Sequence, residues 1–249
     1  MDGFFGAGWE VDPHRRVIYN GIDDSRFAPR RARARVRDEL GIGRRQPLVA
    51  HVANFTAAKN HAGLMAIAAA TIARRPDVVF VLVGDGPMRA EIAADVAHRG
   101  LAHAVRFAGP RDDVPRILGA ADVFVFPSLW EGFPGAVLEA LASGLPVVAS
   151  PIPSILEIAR HMPAAPAVDG ASAAPAPLVT VDPAEPDTFG AAIIALLPSA
   201  SGMVDGVPDG AGAAADDTPS SADAGAAFAR LPRPFTVEAS IEGLLACYG

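Results

Sequence analysis

The 249-residue chain is 51% hydrophobic and 20% charged, which suffices for one well-packed core. Its net charge of −7 argues against nucleic acid as a partner, and its single cysteine, Cys247, excludes an internal disulfide. The segment 1–13 lacks a basic region followed by an apolar one, so no signal peptide is predicted, and no uncharged run is long enough to cross a bilayer. We expect a soluble, cytoplasmic protein.

Arginines cluster near the start of the chain, while the part after residue 160 is mostly acidic. One interpretation of the cluster is a solvated helix face or a linker. The other is a surface for anionic lipid or an acidic partner, which would place the chain at the inner face of the membrane. The cluster contains no aromatic residues, and its members are Arg30, Arg31, Arg33, Arg35 and Arg37.

Between residues 47 and 150, short apolar runs alternate with longer amphipathic ones. The apolar runs are mostly rich in valine and predict buried strands at Leu48–Ala53, Val78–Val83, Ala104–Ala108, Val123–Phe126 and Pro146–Ala149. The amphipathic runs predict helices at Lys59–Arg74, Met88–Arg99, Val114–Gly119 and Pro134–Ser143. Strands that alternate with helices favour a parallel sheet covered on both faces, so we predict a single Rossmann-like α/β domain.

The last third of the chain differs in composition. Pro163–Pro177 and Ser199–Ala227 consist largely of small residues and proline, and they bury too little apolar area to offset an ordering entropy of roughly 1–2 kcal/mol per residue. Within this third, a strand is predicted at Leu178–Val181 and a helix at Asp187–Leu197. A final helix with one apolar face is predicted at Phe235–Tyr248.

The loop and helix that follow the Val123–Phe126 strand carry the strongest functional signal. Ligands of open parallel sheets bind beyond the carboxyl ends of the strands, where this loop lies. Pro134 suits the first helical turn and Gly144 suits the helix end. The free N–H groups of Gly135 and Ala136 would then face the crevice, as in many phosphate sites.

Two ionisable residues stand out by their context. Glu139 is the only ionisable group on an otherwise apolar helix, so it either caps a backbone or pairs with an arginine, or it holds a polyol such as ribose. Lys59 is the only lysine among 21 basic residues. A compact, flexible ammonium suits a shifting phosphate charge, and chance retention of one lysine is the alternative.

Glu131 and Glu139, with Gly-Phe-Pro between them, resemble the E-x7-E signature of family 4 glycosyltransferases. The resemblance extends over residues 17–158 and is patchy beyond. Further motifs of that family are matched in order, from an interdomain crossover and a diphosphate loop to the last helix. They lie at Val17–Asp23, Val52–His61, Val83–Pro87, Val105–Gly109, Ala120–Ser128 and Phe235–Glu238.

The resemblance implies a retaining, metal-independent glycosyltransferase of polysaccharide biosynthesis, of which this chain forms the C-terminal, donor-binding half of a GT-B fold. Lys59 would neutralise the leaving diphosphate and Glu131 would bind donor-sugar hydroxyls. No Asp-x-Asp motif occurs, so neither a metal nor another cofactor is expected. The segment Phe107–Arg111, with Phe107, Gly109 and Arg111, would border the base. The other implied donor contacts are Asn54 and Gly84, Gly132 and Phe133 at the sugar, Pro134, Gly135 and Ala136 at the diphosphate, and Glu139 at the ribose.

The chain departs from the family pattern at two points. Many members have arginine where Asn54 stands, and loss of that charge-assisted bond would cost about 1.5–3 kcal/mol. The crossover-like segment also comes almost at the start, so the acceptor-binding half is expected to be absent. We predict four parts, namely a remnant of the interdomain connection at 1–23, the Rossmann-like domain at 24–198, a low-complexity linker at 199–234 and a C-terminal helix at 235–249.

These observations leave several functions open. The leading hypothesis is a donor-binding domain for a UDP- or GDP-linked sugar that needs a separate N-terminal acceptor domain and is inactive alone. The alternatives are a non-catalytic nucleotide-sugar-binding or scaffold module and a truncated gene product. A dinucleotide-dependent dehydrogenase is disfavoured, because Gly84-Asp85-Gly86 lacks the later glycine of that fingerprint. His51 and His61 are predicted beside a strand and a helix start, and neither is predicted to be a catalytic base.

Overall fold

The computed structural model describes residues 17–27, 33–162, 177–198 and 231–248. Its centre is a six-stranded sheet in the order β3-β2-β1-β4-β5-β6. All five strand pairings are parallel, and β1 is in register with β2 along its length. The strands are β1 (Leu48–Val52), β2 (Val79–Val83), β3 (Val105–Gly109), β4 (Val123–Phe126), β5 (Val147–Ala149) and β6 (Leu178–Thr180).

Helices connect the strands and cover both faces of the sheet. They are α1 (Arg33–Glu39), α2 (His61–Arg74), α3 (Arg89–His98), α4 (Val114–Ala120), α5 (Gly135–Ala142), α6 (Pro153–His161), α7 (Pro186–Leu196) and α8 (Val237–Tyr248). Short 3-10 turns lie at Asp24–Arg26, Ala57–Lys59, Leu101–His103 and Arg233–Phe235. None of the helices within the described ranges is long and apolar enough to cross a membrane.

Two hydrophobic cores lie on opposite faces of the sheet because successive strand side chains alternate between faces. Leu48 and Ala50 pack into the core shared with α1, α4, α5 and α6. Val49 between them packs into the core shared with α2, α3 and α7. The strands are therefore buried on both sides, which explains why they are continuous apolar runs rather than alternating ones.

The predicted α/β fold is confirmed, and the predicted strand and helix boundaries agree with the structure to within about two residues. Helix α6 was not predicted, and α1 contains Arg33, Arg35 and Arg37 of the arginine cluster, for which a helix was one of two alternatives. The start of α6 is Pro153, which occupies a first-turn position where the missing N–H costs nothing, rather than breaking the helix. Most of both low-complexity segments lies outside the described residues, and the four-part division of the chain stays a prediction.

The solvated interpretation of the arginine cluster is wrong for Arg37, whose side chain is buried in α1. Its guanidinium lies 2.8 Å from the carboxylate of Asp122 and also donates to backbone carbonyls. Arg33 contacts the other oxygen of Asp122 at 2.5 Å. This burial also excludes Arg37 from a lipid-facing surface, whereas Arg35 is exposed and Arg30 and Arg31 lie outside the described residues.

The first and last described segments are joined to each other. Ile22 forms a parallel bridge with Thr236, and its N–H donates to the carbonyl of Phe235 at 3.0 Å. Gly21 allows this approach, because a Cβ there would lie 2.1 Å from the Thr236 carbonyl oxygen. The Tyr19 hydroxyl donates to Glu157 of α6, which fixes the segment against the domain.

Candidate functional site

An open cleft of about 450 Å³ lies at the carboxyl ends of β1 to β4. The chain runs from β1 outward to β3 and then returns to β4 on the other side of β1, and ligands of open α/β sheets bind at such a switch point. Its walls come from the loops after β1, β2 and β3 and from the start of α5. The lining residues are Val52, Ala53, Asn54, Lys59, Val83, Gly84, Asp85, Pro110, Arg111, Val114, Phe126, Phe133, Pro134, Gly135, Ala136 and Glu139.

The floor of the cleft is formed by the loops after β1 and β2, which are joined by backbone hydrogen bonds. The Ala53 N–H donates to the Val83 carbonyl at 3.0 Å, and the Phe55 N–H donates to the Asp85 carbonyl at 2.9 Å. Gly84 has a φ of 126°, and a Cβ at this position would lie 2.0 Å from the Ala53 carbonyl oxygen. Glycine is therefore required at position 84, which keeps the backbone accessible at the end of β2.

Lys59 and Glu131 form an ion pair at one end of the cleft. The Lys59 Nζ lies 2.6 Å from the Glu131 Oε1, and the two side chains are 22% and 8% exposed. The loops that carry them are docked, because the Leu129 N–H donates to the Ala58 carbonyl at 2.8 Å. The two predicted catalytic residues thus meet in space, although only Lys59 is among the lining residues of the cleft.

The start of α5 faces the cleft, with Pro134 as the residue that precedes the first helical turn. The expectation of a free N–H holds for Ala136, whose N–H donates to none of the described residues. It is wrong for Gly135, whose N–H donates to the Phe133 carbonyl at 3.0 Å. The predicted helix end is confirmed at Gly144, which has a φ of 72°.

Glu139 lies half-buried on the cleft wall, one turn into α5. Burial raises the pKa of its carboxyl, and the nearby charge of Arg26 opposes this shift. None of the described residues forms a hydrogen bond or ion pair with the Glu139 carboxylate, so the capping and pairing alternatives find no support there. The carboxylate is therefore available to accept hydrogen bonds from a ligand.

Arg111 lines the cleft where β3 ends, and a carboxylate holds it in place. Its Nε and Nη2 donate to the two oxygens of Asp113 at 2.7 and 2.8 Å. This contact raises the pKa of the Arg111 guanidinium and lowers the pKa of the Asp113 carboxyl. Asn54 also lines the cleft but is exposed and neutral, so Lys59 and Arg111 are the cations among the lining residues.

Three other predicted site residues, Phe107, Gly109 and Gly132, do not line the cleft. The Phe107 ring lies 3.6 Å from the Arg89 guanidinium carbon, which covers it. The roles assigned to all predicted site residues stay predictions. Asp85 lines the cleft but was given no donor contact by sequence reasoning; it follows the end of a predicted strand, and that position was the available signal.

Two buried histidines lie beneath the Lys59 loop. The His51 Nδ1 lies 2.9 Å from the Val125 carbonyl, while His61 stacks on Phe55 with ring centroids 4.0 Å apart. Burial lowers the pKa of His51 to about 4 and that of His61 to about 3. Both are therefore neutral at pH 7. His51 lies within β1 and His61 is the first residue of α2.

The family model for group 1 glycosyl transferases matches residues 46–199, which is more than half of the chain. The chain belongs to this family. The position of the cleft at the carboxyl ends of β1 to β4 agrees with that membership.

Individual relatives support the same family. A galactosyltransferase of Escherichia coli, named as using UDP-Gal and an α-D-GlcNAc-diphosphoundecaprenol acceptor, is 38% identical over 147 residues, covering 57% of this chain and 38% of its own length. The lipopolysaccharide core mannosyltransferase LpsB of Rhizobium meliloti (strain 1021) is 33% identical over 156 residues, covering 59% and 44%. The aligned part of the chain thus spans less than half the length of these curated relatives.

A solved structure shows the same fold. Anabaena Alr3699/HepE in complex with UDP and glucose superposes with a TM-score of 0.67 at 20% identity, covering 94% of this chain and 56% of that protein. The six-stranded sheet therefore corresponds to one part of a GT-B glycosyltransferase structure.

Proposed function

We propose that this glycosyltransferase chain is the donor-binding half of a retaining, metal-independent enzyme whose donor is a nucleotide-diphosphate sugar. The observation that carries the proposal is the set of groups along one cleft: an ammonium, a free helix N–H and an unpaired carboxylate, on Lys59, Ala136 and Glu139. These groups match a diphosphate and a ribose in charge and in hydrogen-bonding capacity.

In the proposed mechanism, Glu139 accepts hydrogen bonds from the ribose hydroxyls, and the Ala136 N–H donates to the diphosphate. Lys59 stabilises the negative charge that develops on the leaving diphosphate, which is the electrostatic role that a metal ion has in other transferases. The bond from the sugar C1 to the acceptor oxygen forms on the face from which the bond to phosphate breaks. The acceptor proton passes to a phosphate oxygen, so no protein base is needed.

The Lys59–Glu131 ion pair gives both residues a defined place in this mechanism. Glu131 keeps the ammonium at the cleft wall, and its remaining lone pairs accept hydrogen bonds from the donor-sugar hydroxyls. His51 and His61 are buried and have no access to an acceptor hydroxyl, so they do not act as bases. We propose a UDP-linked donor because the E. coli relative is named for UDP-Gal, and a GDP-linked donor is the alternative.

Transfer also needs an acceptor-binding half, for which the chain offers a docking surface. Three apolar side chains of α8, Ile241, Leu244 and Leu245, are 51%, 47% and 67% exposed and follow helical spacing along one stripe. Relatives of this chain are more than twice the length of the aligned part. We propose that a second domain covers this stripe, and that the assembled enzyme works in the cytoplasm or at the inner face of the membrane.

Calorimetric titration of the chain with UDP-glucose and with GDP-mannose tests the donor proposal. We expect saturable binding of at least one nucleotide sugar, weakened about tenfold or more in Glu139→Ala. Arg99→Ala, an exposed change just after the end of α3, is the control that keeps the affinity. Absence of binding to both donors, or unchanged binding in Glu139→Ala, would sink the proposal.

A non-catalytic nucleotide-sugar-binding module is the second candidate, favoured by the neutral Asn54 on the cleft wall. The experiment is to mix the chain with a separately produced acceptor-binding half and to measure sugar transfer. Transfer would rule this candidate out. If transfer is absent but appears in Asn54→Arg, the natural chain binds donor without catalysing transfer, because the leaving group lacks one charge.

A further inference from the structure

Two large apolar side chains, Leu129 and Trp130, are exposed to solvent on the loop after β4. Trp130 is 70% exposed, and no other tryptophan, tyrosine or phenylalanine whose burial the structure describes is exposed. Neither side chain lines the donor cleft, although the next residue, Glu131, pairs with Lys59 of the cleft wall. The exposed indole therefore has no role in the proposed binding of the nucleotide.

The loop that carries Trp130 is fixed to the turn at 57–60 by contacts at alternate residues. An inward turn of the indole would disturb these contacts, so the ring is held at the surface before a ligand binds. A ring held in this way loses little conformational entropy when it is covered. The contacts join the Pro127 carbonyl to the Asn60 side-chain amide at 3.1 Å, the Leu129 N–H to the Ala58 carbonyl at 2.8 Å, and the Glu131 carboxylate to the Lys59 ammonium at 2.6 Å.

The apolar surface at this loop is small. Along the loop it consists of Leu129 and Trp130, because Ser128 and the side chain of Glu131 are buried and Gly132 has no side chain. A tryptophan buries roughly 150–250 Å² when it is covered, whereas a stable protein interface needs about 800 Å² per partner. The surface therefore fits one ring of a small ligand better than a second protein domain.

The reacting sugar of the proposed transfer lies beside this loop. Its hydroxyls are bound at Glu131, whose Cα is about 3.8 Å from that of Trp130. Because the acceptor oxygen attacks C1 on the face that the phosphate leaves, the acceptor enters next to the Lys59–Glu131 pair. A pyranose ring presents C–H groups on one face, which suit the electron-rich face of an indole, and its hydroxyls can accept from the indole N–H.

We propose that Trp130 is an acceptor-binding residue, whose indole stacks on a pyranose ring of the acceptor while Leu129 extends the contact. The acceptor class that this assigns is a saccharide or glycoside, because an open-chain polyol has the same hydroxyls but no flat C–H face. The inference deepens the proposed function and rests on it, since it needs the donor diphosphate at Lys59 and the donor sugar at Glu131.

Saturation-transfer NMR on the chain with saturating UDP tests the inference, because this method detects weak binding of small sugars. The probes are the methyl glycosides of glucose, galactose, mannose and N-acetylglucosamine, and the open-chain polyol glucitol is the ligand control. We expect a saturable signal on the ring C–H protons of at least one methyl glycoside and none on glucitol. Trp130→Ala should weaken that affinity about fivefold or more, whereas Trp130→Tyr, which keeps a flat ring, should retain most of it.

Two controls accompany these variants. Leu156→Ala removes an exposed apolar side chain from α6 and should keep the sugar signal. The affinity for UDP, measured by calorimetry, should be the same in Trp130→Ala as in the natural chain, because Trp130 does not line the cleft. Unchanged UDP affinity also shows that the variant is folded.

The possible failures are distinguishable. UDP binding without any sugar signal that depends on Trp130 overturns this inference and leaves the donor proposal in place. A loss of affinity for UDP-glucose but not for UDP in Trp130→Ala would mean that the ring contacts the donor sugar, which also overturns it. Binding to phosphatidylglycerol vesicles that depends on Trp130, in place of the sugar signal, would assign the ring to a membrane and overturns it too. Failure of UDP to bind contradicts the proposed function itself, and this inference with it.

Discussion

Buried carboxylates are paired differently at the two ends of the strands, which we call the amino edge and the carboxyl edge of the sheet. At the amino edge, the Asp122 carboxylate receives two guanidinium groups and the Leu48 N–H at 2.8 Å, so its acceptor capacity is used within the fold. At the carboxyl edge, the half-buried Glu139 carboxylate has no partner among the described residues. One site is closed by its own side chains, and the other is open to a ligand.

This contrast shows how to separate a structural charge from a functional one. Burying a carboxylate without a partner costs free energy of folding. A carboxylate left unpaired at a strand-end cleft therefore destabilises the ligand-free protein. A ligand with hydroxyl donors removes this cost when it binds. The expectation is that changes at the amino edge alter stability and changes at the carboxyl edge alter binding.

The largest effect is expected for Asp122→Ala. Removal of the shared carboxylate breaks the ion pairs that Asp122 makes with Arg33 and with Arg37, which is 1% exposed. The free energy of unfolding should fall by about 3–5 kcal/mol, as measured by urea denaturation. The control Asp38→Ala removes a carboxylate from the exposed face of the same region and should change stability by less than about 0.5 kcal/mol. Equal effects of the two changes would contradict the closed site.

Acid should destabilise the protein through the two buried histidines. The pKa of His51 is lowered to about 4 and that of His61 to about 3, mainly by burial, against an ordinary value of 6.5. A depressed pKa gives stability that is present above pH 6.5 and is lost as the pH falls toward 4. The slope is at most about 1.4 kcal/mol per pH unit for each histidine.

His61→Phe keeps the stacked ring and removes one titrating group, so thermal melts of this variant should show a flatter decline between pH 6.5 and 4. His98→Gln, an exposed change on α3, is its control and should leave the decline as it is. An unchanged pH profile in His61→Phe would show that this histidine is not buried in its neutral form.

Much of the fold was predictable because its signals are local. Valine-rich runs bounded by glycine or proline predict buried strands, and the lone carboxylate of Glu139 on an apolar helix predicts a special role. The engagement of the Gly135 N–H was not predictable, because it depends on a turn of the Phe133 backbone. The contact between Arg111 and Glu39 was not predictable either, since the two residues lie far apart in sequence.

Lys59→Gln tests the carboxyl edge with a smaller change. Glutamine still donates to Glu131, so stability should change by less than about 1 kcal/mol, while the diphosphate loses its cation. We expect the affinity for UDP to fall about 10- to 30-fold in calorimetry, with a weaker dependence on salt. Arg75→Gln, at the far end of α2, is the control. Unchanged affinity in Lys59→Gln would remove Lys59 from the donor site.

The smallest effect is expected for the stability of Glu139→Gln. Because burial raises the pKa of the folded carboxyl, the charged form costs stability above pH 4.5, and this cost disappears as the pH falls through the raised pKa. The amide should therefore stabilise the ligand-free chain by about 0.5–1 kcal/mol at pH 7 and by less in acid. A destabilised variant at pH 7 would mean that the carboxylate has a partner in the fold.

The most direct test of the contrast between the two edges compares the natural chain with Asp122→Ala and with Glu139→Ala. For each protein, the measurement is the rise in melting temperature that saturating UDP produces. Bound ligand stabilises a folded protein according to its affinity, whatever the starting stability. We predict that Asp122→Ala melts at a lower temperature but keeps the UDP-induced rise, whereas Glu139→Ala keeps its melting temperature and loses most of the rise. A full rise in Glu139→Ala, or no rise in the natural chain, would contradict the account.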